Sequence, residues 1–504
     1  MCQVAHAEMA IERFRNGHLP SLRTVRVRMT RVLEKNVRKH SRVSVIGDVA
    51  SGKSTLIGVL TRGCLDDGHG LARMQVFRHR HELENGCTSS LSEHTIGITQ
   101  DGRLCCADEF EDFGDDDDED VHASSSEAKS FLTLSDLAGH KKYFKVTASG
   151  LASQFPDYAM LVVDATTGVQ PMTCEHLTIA VALEVAVFVV LTKTDLASSQ
   201  RIEQTMDQVA DLMQTVSPQR PVALATSADD VVMFSGDVAA TPLFQVSSVD
   251  GCGLDVLQAY LAALEPKRIW STMSSTAPEF QINQAYDIED TGTVVTGLVQ
   301  RCDGPVLPLV FAFSTACRHL FSLFARSGSL VVGENMLLGP DSNGQFCAVE
   351  VESIEVQRKA VHFLTAGETG ALLLRLPTGV DVSAARIRKG TMLIHPSLHP
   401  RATLQFDAEV HFLPHAPAIR ENYQAVIHAG QVRQMAKLVR LLGESNASVA
   451  PATTLCRFEF MYWPEYVRPD LPLVLREGHA QGVGKVVRAV VDFRKEQTTS
   501  VRSC

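Results

Sequence analysis

The sequence predicts an α/β domain with a doubly wound, mostly parallel sheet, followed by an all-β region. Between residues 42 and about 268, apolar strand-like runs alternate with helical segments, a pattern typical of a parallel sheet. After Pro266 the pattern changes to short strands separated by Gly, Asp and Pro. The length of 504 residues exceeds what one hydrophobic core can organise and predicts about three domains.

The individual strands follow from apolar runs bounded by turn residues. In the α/β domain they are expected near 43–47, 131–135, 159–164, 185–191, 221–225 and 243–247. In the all-β region a first set is expected near 279–283, 292–299, 329–338, 347–356 and 369–375, and a second set near 404–413, 423–428, 455–461, 472–476 and 483–492. Composition alone indicates only that both sets are β.

The first strand runs into a phosphate-binding loop, Gly47-Asp48-Val49-Ala50-Ser51-Gly52-Lys53-Ser54. Glycines allow consecutive backbone N–H groups to point at a phosphate, the lysine reaches the β- and γ-oxygens, and the serine hydroxyl can ligate Mg²⁺. A helix from Lys53 to about Arg62 directs its positive dipole end at the same charge. We therefore expect residues 47–54 and the following Thr55 to bind phosphate.

Two further motifs follow later strands, at the edge where open α/β sheets bind ligands. The run Asp136-Leu137-Ala138-Gly139-His140 offers a carboxylate that can hold Mg²⁺ through water, and a glycine N–H for a γ-phosphate. The run Thr192-Lys193-Thr194-Asp195 ends a buried strand. The Asp195 carboxylate can accept hydrogen bonds from N1–H and the 2-amino group of guanine, a donor pair that adenine lacks. It therefore favours GTP over ATP, and Ser247 and Ser248 suit backbone contact with the base.

With these residues, the chain resembles the translation-factor class of GTPases, and most closely the family of GTP-binding proteins 1 and 2. The resemblance covers roughly residues 41–492, apart from two interruptions. In the α/β domain it rests on Ala72-Arg73, Phe77-Arg78-His79, His81-Glu82, Thr88-Ser89-Ser90, DLAGHKKY, PDYAMLVV, MTCEHL and VFVVLTKTDL. In the all-β region it rests on GTVVTG, MLLGPD, IRKGTMLIHP, FDAEV, YQAVIHAG and LREGHAQGVGKV.

The resemblance implies a domain plan. A P-loop GTPase domain at 41–268 is followed, as in elongation factor Tu, by two β-barrel domains at 277–397 and 400–493. A basic extension at 1–40 precedes them, and a tail at 494–504 follows.

The resemblance also implies the chemistry. GTP or GDP would bind with Mg²⁺, and GTP would be hydrolysed to GDP and phosphate, slowly without an activator. His140 would orient the attacking water, while Ser54 would ligate Mg²⁺ directly and Asp136 through water. Thr88 would complete the Mg²⁺ shell when GTP orders its loop.

Three residues depart from the pattern of the relatives. Ala50 occupies the position of an Asp that can bring a monovalent cation toward the phosphates, which puts the hydrolysis rate in doubt. Asp48 stands where relatives have Asn or His and adds negative charge near the phosphates. Thr192 replaces the Asn of the commoner guanine motif, as in close relatives, and has a shorter hydrogen-bonding reach.

The implied function is that of a GTP-hydrolysing factor on or near the ribosome, in the cytoplasm, with tRNA as a candidate cargo in elongation or ribosome quality control. The alternative is a weakly hydrolysing GTP-binding adaptor in messenger RNA turnover or surveillance, with decay enzymes as partners. Ala50 favours the adaptor and His140 the factor. We expect no DNA partner and no stable membrane association, and the twelve cysteines, which form no CxxC pair, are typical of a reducing compartment.

Charge is unevenly distributed along the chain. The net charge of −11 comes largely from residues 108–120, which carry ten acidic side chains within an insertion at about 106–129 that we expect to be a disordered surface loop. Residues 13–42 carry ten Lys or Arg against the single acid Glu34. This basic stretch is suited to RNA phosphates or is simply a solvated helix face.

One apolar segment, residues 302–327, interrupts the first β set. Arg318-His319 divides it into pieces that are too short to span a bilayer. Two interpretations stay open: a translated, unspliced intron, or a genuine hairpin that binds a membrane or a partner.

Overall fold

The computed structural model describes residues 39–77, 79–99, 101–105, 130–235, 240–267, 277–288, 292–302, 329–356, 359–376, 387–388, 390–412, 420–442, 453–477 and 479–490. The basic extension up to residue 38, the acidic insertion 106–129, the apolar segment beyond Cys302 and the tail 494–504 lie outside these ranges. The described residues from His40 onward form one compact unit.

The α/β domain is built on an eight-stranded sheet of order β3-β2-β4-β1-β5-β6-β8-β7. Its strands are β1 (Lys39–Gly47), β2 (Ser92–Ile98), β3 (Leu104–Cys105), β4 (Ser130–Asp136), β5 (Tyr158–Asp164), β6 (Ala186–Thr192), β7 (Val222–Leu224) and β8 (Thr241–Gln245). The pairs β1–β5, β5–β6, β6–β8 and β7–β8 are parallel, whereas β2 pairs antiparallel with β3 and β4. The expected doubly wound, mostly parallel sheet is therefore confirmed, with an antiparallel edge.

Helices cover the sheet because its strands are apolar on both faces. They are α1 (Lys53–Arg62), α2 (Leu71–Met74), α3 (Arg80–Asn85), α4 (Phe144–Ser153), α5 (Pro171–Ala182), α6 (Ser199–Val216), α7 (Ala228–Ser235) and α8 (Leu254–Ala263), with a 3₁₀ turn at Lys141–Tyr143. In β1, Val43 and Val45 belong to one hydrophobic cluster, and Ile46 belongs to a second. Alternate residues of the strand thus anchor different helices, which holds the end of β1 firmly in place.

The two β sets form closed six-stranded barrels. The first contains β9 (Pro278–Ile288), β10 (Gly292–Cys302), β12 (Asn335–Gly339), β13 (Cys347–Val356), β16 (Thr369–Arg375) and β17 (Met392–Ile394), with β11 (Leu330–Val331), β14 (Lys359–Val361) and β15 (Phe363–Leu364) beside them. Pairing of β12 with β13 closes this first barrel.

The second barrel has the strand order β18-β21-β20-β19-β22-β23. Its strands are β18 (Gln405–Phe412), β19 (Gln424–Ala429), β20 (Val432–Leu441), β21 (Thr453–Phe460), β22 (Pro472–Glu477) and β23 (His479–Val490).

The strand predictions missed several elements. Strand β20 was not predicted, because charged side chains such as Arg433 and Arg440 face outward while alternate residues, among them Ala436 and Leu438, are buried. Strands β2 and β17 were missed as well. The single strand expected at 329–338 is two strands, because Gly333 turns the chain with φ of 84° between β11 and β12.

The α/β domain contacts the second barrel through apolar side chains. Helices α4 and α5 pack on β19, β22 and β23. Val474 and Val483 of the barrel belong to the hydrophobic cluster of the α/β domain, and Phe155, just after α4, belongs to the cluster of the barrel. Two polar contacts reach the first barrel: the buried Arg42 Nη2 donates to Gly367 O at 2.6 Å, and Gln281 Nε2 donates to Ser153 O at 2.9 Å.

The two barrels contact each other through buried ion pairs. Arg388 of the first barrel donates from Nη1 to both carboxylate oxygens of Glu465 of the second, at 2.8 and 2.7 Å. Reciprocally, Glu279 of the first barrel pairs with Arg468 at 3.1 Å and accepts from the Tyr466 hydroxyl at 2.8 Å. Both carboxylate side chains are only 1% exposed. In the described part of the chain, no helix is long and apolar enough to cross a bilayer.

Candidate nucleotide-binding site

The turn between β1 and α1 holds the predicted phosphate-binding residues in a tight loop. Gly47 has φ of 145°, and a Cβ there would lie 2.2 Å from Val162 O, so no side chain fits. Gly52 caps α1 with φ of 88°. The Asp48 carbonyl accepts from the Ser51 hydroxyl at 2.9 Å. The loop therefore curls around a carbonyl at the amino end of α1, where the helix dipole favours an anion.

Lys53, the first residue of α1, is buried at the centre of this loop. Its ammonium donates to Asp48 O at 2.6 Å. Burial lowers the pKa of Lys53, while the nearby carboxylates of Asp136 and Asp48 act in the opposite direction. A Cβ on Gly139 would lie 2.4 Å from the Lys53 Nζ and 2.7 Å from the Asp48 carbonyl. Only glycine fits at position 139, which brings the backbone after β4 against the lysine and the phosphate loop.

The three predicted magnesium ligands lie together beside Lys53. The Ser54 hydroxyl donates to Asp136 Oδ2 at 2.6 Å, and the Thr88 hydroxyl donates to the same oxygen at 3.1 Å. The two hydroxyl oxygens are 2.7 Å apart. Ser54, Thr88 and Asp136 come from three separate elements: α1, the loop before β2, and the end of β4.

This cluster fits a hydrated Mg²⁺ ion. Asp136 is fully buried, and burial raises the pKa of its carboxyl group. Its second oxygen, Oδ1, is buried without a hydrogen-bond partner among the described residues. An unpaired carboxylate oxygen next to two hydroxyls is a suitable partner for a cation or its bound water, because Mg²⁺ prefers oxygen ligands and keeps several waters.

The predicted guanine-binding residues gather where β6 and β8 end. The Thr192 hydroxyl donates to Ser51 O at 2.7 Å and lies 3.3 Å from Val163 O. Despite its short side chain, the threonine thus connects β6 to the phosphate loop. Lys193 adopts φ of 58° and donates to Ala50 O at 2.8 Å and to Asp164 Oδ2 at 2.7 Å.

Asp195, the predicted acceptor for the base, lies at the rim of this region. Its side chain is exposed after β6. Ser247 is buried and its hydroxyl bonds to the Asp250 carboxylate, while the Ser248 carbonyl accepts from Asp66 N at 2.8 Å. These hydrogen bonds hold the loop after β8 in place. Thr194 N donates to Val246 O at 3.5 Å, which keeps the backbone of this loop near Asp195.

Of the remaining predicted residues, Val49, Ala50 and His140 are exposed, whereas Asp48 and Thr55 are half-buried. Val49 and Ala50 lie at the tip of the loop, and Ala50 adopts φ of 57°, a conformation unusual for a residue with a Cβ. The Asp48 carboxylate accepts from Val49 N at 2.6 Å, and Thr55 is half-buried in the first turn of α1. His140 begins the 3₁₀ turn, where its Nδ1 accepts from Lys142 N at 3.0 Å.

Two buried residues at this site were not predicted. His176 on α5 accepts from Gly47 N through Nδ1 at 3.3 Å and stacks on Phe144 with ring centroids 5.8 Å apart. Burial, and then the charge of Lys53, lower the pKa of His176 to about 3, so it is a neutral acceptor behind the phosphate loop. Glu82 on α3 is 1% exposed. Both residues lie in segments that support the family resemblance, but neither has a motif spacing that indicates a role.

Comparison with known proteins agrees with this geometry. The family model described as the elongation factor Tu GTP-binding domain matches residues 38–267. GTP-binding protein 1 of Xenopus laevis is 33% identical over 89% of this chain and 63% of its own length, and GTP-binding protein 2 of Mus musculus is 34% identical over 88% and 68%. The chain therefore spans about two thirds of the length of these relatives.

Solved structures share the fold. Translation elongation factor SelB from Methanococcus maripaludis, in complex with the GTP analogue GppNHp, aligns with a TM-score of 0.60 and 16% identity over 90% of this chain and 80% of that one. The α/β fold, the phosphate loop and the two closed barrels, together with the match to the elongation factor Tu GTP-binding domain, place the chain in the class of translation-factor-type GTPases. Within that class, the chain belongs to the family of GTP-binding proteins 1 and 2.

Proposed function

We propose that this protein is a ribosome-activated GTPase of the cytoplasm that uses the state of its nucleotide to control the position of its barrels. The observation that carries the proposal is the cluster of Ser54, Thr88 and Asp136 beside the buried Lys53, in a domain that packs directly on a closed barrel. Hydrolysis of a phosphoanhydride by water depends on charge neutralisation and on a positioned nucleophile. The site offers residues for both tasks.

Lys53 and the loop amides of residues 47–54 would neutralise the β- and γ-phosphates. Ser54 and Thr88 would hold Mg²⁺ directly and Asp136 through water; when bound, the ion neutralises charge that develops on the phosphate oxygens. Asp195 would select guanine. Lys193, fixed by the Asp164 carboxylate at 2.7 Å, would support the phosphate loop from the base side.

His140 would orient the water that attacks. Because its Nδ1 accepts from Lys142 N–H, the neutral ring carries its proton on Nε2. That nitrogen would donate to the water oxygen, so the residue positions the nucleophile and does not need to abstract a proton. This agrees with a reaction whose catalysis is mostly positioning and electrostatics.

The link from this chemistry to the barrels would run through α4. This helix begins four residues after His140 and packs on β19 and β22. A change at Gly139 or His140 would therefore move a helix that carries part of the barrel contact. GTP would favour one arrangement and its hydrolysis would release it, which makes the protein a timer for a ribosomal step, with tRNA as the cargo suggested by its elongation-factor relatives.

The test is GTP turnover by the full chain with and without ribosomes. Small GTPases of this type hydrolyse GTP at roughly 10⁻⁴ s⁻¹ alone, and an activator adds up to about 10⁵-fold. We expect strong stimulation for the native chain. In His140→Ala, stimulated turnover should fall by about 10²-fold or more, with GTP affinity within a few-fold of the native value.

Asp195→Asn serves as the matched control. The amide cannot accept from both guanine donors but can donate to the 2-oxo group of xanthine, so activity should return with xanthosine triphosphate. Tight GTP binding without stimulation by ribosomes would contradict the proposal and leave the adaptor in messenger RNA turnover as the explanation. Equal stimulated turnover in His140→Ala would remove that residue from the mechanism.

A further inference from the structure

Glu82 has an unusually rich set of hydrogen bonds for a residue outside the expected site. Its carboxylate is 1% exposed and accepts from five donors. Oε1 accepts from the backbone and hydroxyl of Ser89 at 2.7 and 2.8 Å, and from those of Ser90 at 3.2 and 3.3 Å. Oε2 accepts from His79 N at 3.2 Å. A buried carboxylate is tolerated only when its oxygens are satisfied in this way.

The same residue also holds the chain on the other side of Thr88. The Glu82 carbonyl accepts from Gly86 N at 2.8 Å, where Gly86 ends α3 in a left-handed conformation with φ of 65°. The backbone of Glu82 therefore fixes the start of the loop and its side chain fixes the end. Only Cys87 and Thr88 lie between these two anchors.

This short span places the Thr88 hydroxyl at the cation cluster. It lies 2.7 Å from the Ser54 hydroxyl and 3.1 Å from Asp136 Oδ2. A second contact strengthens the anchor, since His81 Nε2 lies 2.6 Å from the Ser89 hydroxyl. Glu82 also lies close enough to Asp136 for the two carboxylates to interact electrostatically. All of these contacts are internal to the chain.

We propose that Glu82 is a positioning residue that holds Thr88 over Ser54 and Asp136, and so sets the Mg²⁺ requirement for retaining GTP. This rests on the role proposed above for Thr88. The contacts of Glu82 then order residues 87–90 even before GTP binds, and bound GTP adds to that order. Losing the carboxylate should release residues 87–90 and weaken the hold on the ion without removing any group that touches it.

The variants are Glu82→Ala and the conservative Glu82→Gln, with Glu84→Gln as the matched control. Glu84 lies on the same short helix, but its side chain is 62% exposed and, among the residues that the structure describes, it forms an ion pair with Arg80 one turn away. Glutamine retains an acceptor oxygen for the two serines, but its amide presents donors to the His79 N–H. We therefore expect an intermediate effect for Glu82→Gln and none for Glu84→Gln.

Two measurements decide the proposal, and neither is turnover. The first is hydrogen exchange of the peptide that contains residues 86–90, which should speed up in Glu82→Ala. The second is the Mg²⁺ concentration that halves the release rate of a fluorescent GTP analogue, which should rise by about tenfold or more, as expected for losing charge-assisted hydrogen bonds. Circular dichroism and thermal melting establish whether each variant is folded. If Glu82→Ala does not fold, both measurements are made on Glu82→Gln instead.

A double mutant separates positioning from general stabilisation. If Glu82 acts through Thr88, adding Glu82→Ala to Thr88→Ala should leave the Mg²⁺ requirement unchanged. The proposal would be overturned if Glu82→Ala raised the Mg²⁺ requirement of the Thr88→Ala variant as much as it raises that of the native protein. It would also be overturned if residues 86–90 exchanged hydrogen at the native rate in Glu82→Ala. A native Mg²⁺ requirement in Thr88→Ala alone would instead overturn the proposed role of Thr88. The two failures are therefore distinguishable.

Discussion

The two barrels are joined to each other by buried ion pairs, whereas the α/β domain joins them mostly through apolar side chains. In the first contact, Glu465 and Glu279 each receive an arginine from the opposite barrel. In the second, Val474 and Val483 join a hydrophobic cluster to which α4, α5 and the sheet strands of the α/β domain contribute. Ion pairs are directional, and a buried carboxylate cannot part from its arginine without a large cost. Apolar contacts lack direction and can be remade after a shift. From this difference we expect the two barrels to stay together, and any change in domain arrangement to occur at the contact with the α/β domain, which we call the joint.

The largest effect is expected from breaking the barrel contact. Glu465→Ala removes a carboxylate that accepts from Arg388, from Gln434 at 2.9 Å and from the Trp463 indole at 3.0 Å. Removing one partner of a buried ion pair typically costs about 3–5 kcal/mol. The free energy of unfolding, from urea denaturation, should fall by that amount.

Arg375→Ala is the control for this prediction. Arg375 pairs with Glu350 and Glu352 on the surface of the first barrel, and its side chain is 60% exposed. Exposed pairs contribute less than about 1 kcal/mol. If Glu465→Ala and Arg375→Ala lowered the free energy of unfolding by the same small amount, the contact between the barrels would not be more rigid than the contact with the α/β domain.

A smaller effect is expected at the joint. Val474→Ala removes two buried methyl groups from the contact with the α/β domain, which should lower the free energy of unfolding by about 1–2 kcal/mol. It should also increase the separation of the α/β domain from the barrels, as measured by small-angle X-ray scattering. Val410→Ala, inside the second barrel and equally buried, should cost a similar amount without changing the scattering. Identical scattering from both variants would contradict the proposed joint.

The smallest effect is a pH dependence caused by His176 on α5, one of the two helices that pack on the second barrel. Burial holds the pKa of His176 at about 3, against about 6.5 in the unfolded chain. The unfolded chain therefore takes up the proton first, and stability is complete above about pH 6.5 and falls as the pH drops toward 3. Between pH 7 and 6 the loss from this group should be about 0.7 kcal/mol.

His176→Gln tests this slope, because the glutamine oxygen can still accept from Gly47 N–H but does not titrate. His40, whose pKa is also lowered to about 3 by burial, should retain its own share of the slope. Urea denaturation at the two pH values measures the difference. An unchanged slope in the variant would show that His176 is not neutral in the folded protein.

The elements that the sequence predicted well are those whose chemistry is local. The phosphate loop is a contiguous run in which Gly47 and Gly52 are required by backbone conformation, and Asp136 and Asp195 follow apolar strands directly. Parallel strands place their carboxyl ends on one edge, so the assembly of these motifs follows from the strand pattern.

The residues that were missed depend on contacts between elements distant in the chain or on a weak pattern. His176 matters because α5 brings it 3.3 Å from Gly47 N, 129 positions away. Glu82 matters because the next loop folds back onto it, and a single glutamate on a six-residue helix has no sequence signature. In β20 the outward charges of Arg433, Lys437 and Arg440 obscured an alternating strand.

The reciprocal ion pairs between the barrels have a practical consequence for imaging. In an electron cryomicroscopy map of a larger assembly, β9 to β23 should be treated as a single fitting fragment and the α/β domain as another. Only the placement of one rigid fragment relative to the other then has to be fitted, and a pair of distance labels, one on the α/β domain and one on either barrel, would report a change in it.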